Sequence, residues 1–107
     1  MEQENIFKKL EEIIEARKAE SPDKSYVASL MHKGTEKINS KITEEAAEVC
    51  EAALEEDHAH LVYEICDLLF HTMVLAGHRD VSLSEIEQEL SRRFGMSGLE
   101  EKARRNQ

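Results

Sequence analysis

Apolar residues recur at helical spacing in several separate stretches of this chain, and the period favours amphipathic helices over strands. Ile6, Leu10, Ile13 and Ile14 mark a first helix over residues 3–19. It stops before ESPDKS, where Ser21-Pro22 predicts a turn or a fresh helix start. YVASLMHKG (26–34) reads as a short helical or irregular link ending at Gly34. A second long helix is expected over 35–56 and a third over 59–78, with Asp57 as a candidate cap between them. SLSE, Ser82 to Glu85, is a capping-box pattern that opens a fourth helix through about Arg93. The remainder, GMSGLEEKARRNQ, is Gly-broken and charged, a mobile tail (94–107) ordered by ligand. With no repeat, low-complexity tract or linker, residues 1–107 form one domain. The expected fold is all-α, an antiparallel bundle of four to five helices completed by oligomerisation.

Two of these helices carry charge where the pattern calls for apolar side chains. At about 100° per residue, with Ile38 as zero, Ile42 lies near +40°, Val49 near +20° and Ala53 near +60°, which defines the core face. Glu45 falls at about −20°, inside that arc, while Lys41 and Glu48 share one shoulder and Glu44 lies just outside them. A lone buried carboxylate costs several kcal/mol or takes up a proton, so Glu45 requires a partner, a metal, or a fraying helix that lets it escape. The third helix is apolar almost all the way round. One narrow sector holds His60, Glu64, Asp67, His71 and His78. Such a helix needs enclosure on most sides, which a small single chain does not supply, so a homo-oligomer, at least a dimer, is expected.

Glu45-x-x-Glu48 and Glu64-x-x-Asp67 each place two carboxylates on one helix face a turn apart. If the helices run antiparallel through EDHAH, the four can face one cavity and form an oxygen-rich site suited to Mg²⁺ or Mn²⁺. With 23 acidic residues, chance pairs at this spacing are common, and a solvated face is the ordinary explanation of any one. What lifts these two is that Glu45 interrupts a core arc and Glu64 and Asp67 fill the one polar sector of their helix. Lys33, Lys37 and Lys41, spaced by four, lead toward the cluster and suit phosphate oxygens, although on the lysines alone simple i, i+4 pairing is the better explanation. His58 and His60 are expected to be solvated. His71, a turn beyond Asp67, suits either a substrate contact or a structural role.

Composition narrows the function classes. Four Gly, one Pro and 5% aromatics fit a helical domain. A net charge of −9 argues against nucleic-acid or anionic-membrane binding, yet leaves room for a polyphosphate bridged by divalent cations. Cys50 and Cys66 are too few for a disulfide framework and are expected as reduced, buried thiols. The N-terminus lacks the apolar core of a signal peptide and no apolar run approaches 18 residues, so a soluble, cytoplasmic protein is expected.

EEAAEV and EICD together resemble the ExxE…ExxD signature of the all-α NTP pyrophosphohydrolase (MazG-like) superfamily. More narrowly, SYVASLMHKGTEKINSKITEEAAEV, LVYEICDLLFHTMVL, DVSLSEIEQEL and SGLEEKARR, in that order, resemble the phosphoribosyl-ATP pyrophosphohydrolase family of histidine biosynthesis, over about residues 25–104. Thr43 departs from the Gly or small apolar residue common there but leaves the acidic positions intact. The chain has neither the length nor the cysteines for the zinc-dependent cyclohydrolase domain often fused to this family. The resemblance implies Mg²⁺-dependent hydrolysis of phosphoribosyl-ATP to phosphoribosyl-AMP and pyrophosphate. It implies metal binding by Glu45, Glu48, Glu64 and Asp67, with Glu44 orienting water or supporting a ligand. Lys33, Lys37, Lys41, His71, Ser97, Lys102 and Arg105 become candidate substrate contacts. The alternatives are a housecleaning (d)NTP pyrophosphatase of the same superfamily and a non-catalytic oligomeric helical adaptor. A di-iron bundle is disfavoured because no Glu-x-x-His pair lies in the cluster.

Overall fold

The computed structural model describes residues 5–95 and 98–105. These form six helices: α1 (Ile6–Arg17), α2 (Tyr26–Lys33), α3 (Thr35–Ala52), α4 (His58–His78), α5 (Leu83–Arg93) and α6 (Gly98–Arg105). Among the described residues there is no strand, as the periodicity predicts. The 26–34 link is a true helix, and part of the charged tail is helical as α6.

Helix ends follow the local chemistry. The Asn5 side chain accepts from the Lys8 amide, Ser25 from Ala28, and Asp57 from His60, each at 3.1 Å. The capping box of α5 is complete: Ser82 accepts from the Glu85 amide, and the Glu85 carboxylate accepts from the Ser82 amide at 2.8 Å. α2 and α3 are separated by Gly34 alone, at φ 97°, a backbone conformation that side chains with a Cβ rarely adopt. Its amide still bonds back to Leu30 and Met31, so the chain turns sharply without losing the last carbonyls of α2.

The core lies where α1, α2, α3, the C-terminal half of α4 and the start of α5 meet. Ile14, Val27, Leu30, Ile38, Met73, Val74 and Leu83 fill it, flanked by Leu10, Met31, Ile42, Phe70 and Leu75. Gly77 allows α1 to approach α4: a Cβ there would stand 3.0 Å from the Ile14 side chain. Glu11 ties α1 to α5 by accepting from the Leu83 amide at 2.7 Å, and that bond holds the carboxyl below its ordinary pKa.

Several apolar positions expected inside are outside. Ile6, Phe7 and Ile13 on α1 are exposed, leaving Ile14 as the one residue that helix fully buries. Ala53 and the fully open Leu54 also lie outside, because α3 ends at Ala52 rather than near 56. Cys50 and Cys66 are exposed rather than buried, since among the described residues nothing covers them on the outer faces of α3 and α4. α4 shows this most clearly. Val62, Ile65, Leu69 and Cys66 form an outward stripe, while Glu64 and His71 of the polar sector are buried. Its 21 residues have a mean hydropathy of 1.3 in the most apolar window, enough in length and composition to cross a bilayer. Asp67 and the buried Glu64 and His71 in the same helix set it apart from a simple apolar span.

Candidate active site

α3 and α4 make the most extensive helix pair, joined by the short segment 53–57, so they run antiparallel and lay their acidic pairs side by side. Glu45, Glu48 and Glu64 each offer a carboxylate oxygen within 4.8 Å of the others. Glu45 is 5% exposed and Glu64 7%. The Oε2 atoms of both are buried with no hydrogen-bond partner among the described residues. Buried, orphaned carboxylate oxygens are costly to a fold, and a cluster of carboxylates that holds two of them fits a cation with hard-oxygen preference.

The electrostatics record the same crowding. Burial, followed by the hydrogen bond and charge of Glu48 and the charges of Asp67 and Glu64, pushes the Glu45 carboxyl up to about 7. Burial and Glu48 likewise raise Glu64, against an opposing pull from His60. The crowding of carboxylates thus favours the neutral acid form of Glu45 and Glu64.

The remaining sequence candidates distribute unevenly. Asp67 is half-buried and close enough for its charge to act on Glu45, but it lies outside the tight trio. Glu44 is exposed and pairs with Lys41 at 3.3 Å, which raises the Lys41 pKa. Lys33 and Lys37 are exposed without an ion-pair partner among the described residues. Lys102 and Arg105 are exposed on α6, and Ser97 lies outside the described residues.

Two participants escaped the sequence reading. The His60 side chain is solvent-exposed as expected, but it also bridges Glu55 (Nδ1–Oε2 2.9 Å) and Glu64 (Nε2–Oε1 3.2 Å), and its pKa is raised chiefly by Glu55. The i, i+4 spacing of His60 and Glu64 carried that signal. His71 is buried at 5% and hydrogen-bonds Tyr26, whose ring stands beside the cluster. Nothing periodic in YVASLMHKG singles out Tyr26.

The sequence model of the phosphoribosyl-ATP pyrophosphohydrolase family matches residues 7–94. The chain belongs to this family. The matched span includes Glu45, Glu48, Glu64 and Asp67, whereas α6 lies beyond it. Relatives extend the likeness to nearly the whole chain. A phosphoribosyl-ATP pyrophosphatase of Vesicomyosocius okutanii is 52% identical over 103 residues, covering 96% of this chain and 98% of its own. Those of Neisseria gonorrhoeae (47% identical, 97% of each chain) and Geobacter sulfurreducens (48%, 99% of this chain and 98% of its own) are similar to it across the same length.

Proposed function

We propose that the protein hydrolyses phosphoribosyl-ATP to phosphoribosyl-AMP and pyrophosphate, the second step of histidine biosynthesis, at the α3–α4 carboxylate cluster. The observation that carries this is the trio of Glu45, Glu48 and Glu64 carboxylates gathered within 4.8 Å in a member of this family, with a buried, unpartnered oxygen on both Glu45 and Glu64. Glu45, Glu48 and Glu64 would hold Mg²⁺, or Mn²⁺ in its place, with Asp67 as the fourth ligand from the adjacent turn. The cation supplies charge neutralisation on phosphate oxygens and a lowered pKa for a bound water.

The chain's own residues supply the rest. Lys41 stands beside the cluster and can exchange its partner Glu44 for a phosphate oxygen, which frees the Glu44 carboxylate to orient water or accept its proton. Water adds to phosphorus and the anhydride bond to pyrophosphate breaks. Lys33, Lys37, Ser97, Lys102 and Arg105 would serve the phosphates and the ribose 5-phosphate arm. His60 holds Glu64 by one oxygen, and the other, buried and unpartnered among the described residues, would be left to hold the cation.

The outward stripe of α4 would be closed by a second copy, giving a homodimer. Val62, Ile65 and Leu69 form a continuous apolar face beside the site, and a like face from another chain buries it most simply. The enzyme is then soluble and cytoplasmic, with no nucleic-acid or membrane partner.

The test is pyrophosphate release from phosphoribosyl-ATP with and without Mg²⁺, set beside a panel of dNTPs. Mg²⁺-dependent turnover that prefers phosphoribosyl-ATP is expected. Preference for a dNTP would overturn the substrate assignment, and full activity in EDTA would overturn the metal.

A further inference from the structure

Tyr26 opens α2, where the Ser25 cap fixes its backbone. Three contacts then fix its ring. The His71 Nδ1–H donates to the Asp67 carbonyl at 2.8 Å, which leaves Nε2 as an acceptor. The Tyr26 hydroxyl therefore donates to that Nε2, also at 2.8 Å. The ring lies nearly parallel to Phe70 (15°, centroids 6.3 Å apart) and meets His71 edge-on at 90° and 5.7 Å. Despite this anchoring, Tyr26 is 51% exposed. His71 joins its hydroxyl to the α4 turn that carries Asp67, and the charges of Lys41, Glu45, Asp67 and Glu44 act on its phenol, so the ring lies near the acidic cluster.

The hydrogen bond decides what such a ring can do. Its one proton is committed to His71, so the hydroxyl has only lone pairs left to offer. Phosphate oxygens are acceptors too, and Tyr26 has nothing to donate to them. What remains is a rigid aromatic surface, already held in place before any ligand arrives, so little ordering entropy is lost on binding. A flat π-system is the ligand such a surface suits, and aromatic–base stacking is tolerant of everything except loss of the ring.

We propose that Tyr26, held by His71 and Phe70, is the stacking platform for the purine base of the nucleotide whose phosphates enter the carboxylate cluster. The nucleotide's identity rests on the hydrolase function proposed above; the platform's geometry does not. Base stacking at this ring adds affinity for purine nucleotides over base-free phosphates.

Tyrosine is present only at positions 26 and 63, so protein labelled with 3-fluorotyrosine gives two ¹⁹F signals, assigned with Tyr63→Phe. In Mg²⁺ buffer, AMP should shift the Tyr26 signal by ring current while ribose 5-phosphate leaves it in place. Equal shifts from both ligands, or none from millimolar AMP, would overturn the platform. In kinetics with phosphoribosyl-ATP, Tyr26→Leu should raise KM about tenfold with a smaller change in kcat, and Tyr26→Phe should stay within about threefold of wild type. If Tyr26→Phe costs as much as Tyr26→Leu, the hydroxyl matters rather than the ring, and the proposal fails. Turnover of phosphoribosyl-ATP without an AMP shift removes the platform and leaves the hydrolase; an AMP shift without turnover does the reverse. The ¹⁹F arm needs no substitution at Tyr26, so it stands even if Tyr26→Leu does not fold.

Discussion

Ile38 on α3 and Val74 on α4 are fully shielded from solvent, and Glu45 and Glu64, within a few turns along the same two helices, are nearly so. The first pair belongs to a close-packed apolar core in which burial is favourable by itself. In the second, burial works against the fold: it raises both carboxyl pKa values and leaves two oxygens without partners. One helix pair thus contains a stabilising end and a destabilising end at similar depth. The destabilising end is the one whose chemistry suits a divalent cation and phosphates.

Substitutions at the two ends should therefore fail in opposite ways. Glu48→Gln or Glu64→Gln is expected to lower pyrophosphate release at least about 100-fold, with melting temperature unchanged or raised. Leu30→Ala, in the apolar core, should cost about 2–5 kcal/mol of stability by denaturant titration while the folded fraction keeps its activity. A Glu48→Gln variant as unstable as Leu30→Ala would break the distinction. Ile65→Asp tests the outward face of α4: sedimentation should show the dimer replaced by monomer, and an unchanged sedimentation coefficient would remove that face from the interface. The smallest effect is expected at Ser82→Ala, which removes the α5 cap for about 1 kcal/mol and leaves turnover intact.

Much of this contrast is visible in the sequence, because period and charge are read on the same helix. The phase of Glu45 relative to Ile38 and Ile42 placed a charge in the core arc, and it is buried there. SLSE and Asp57 marked their helix starts because capping is local chemistry. Local signals did not say which apolar face the chain itself would cover. The all-round apolar α4 implied more enclosure than one small chain supplies, and Ile65 and Leu69 are exposed; Ile13, Cys50 and Cys66 read as interior, yet they too lie outside. Tyr26 was missed for a different reason. Its setting depends on His71 and Phe70, more than forty residues away, and helical phase carries no information about a contact at that range.

The claim that the buried carboxylates exist for a cation is tested most directly by melting temperature against pH, with and without Mg²⁺. The folded Glu45 carboxyl titrates at about 7 against an ordinary 4.5, so between those values the folded state holds a proton the unfolded chain releases. Stability of the metal-free protein must then fall as pH rises through that window. The raised pKa values of Glu64 and His60 act in the same direction, so Glu45→Gln is the control that isolates this residue. The account predicts a lower melting temperature at pH 8 than at pH 5 without metal, a shallower fall in Glu45→Gln, and recovery on adding Mg²⁺ at pH 8 but little change at pH 5. Equal melting temperatures at both pH values, with no response to Mg²⁺ at pH 8, would contradict it.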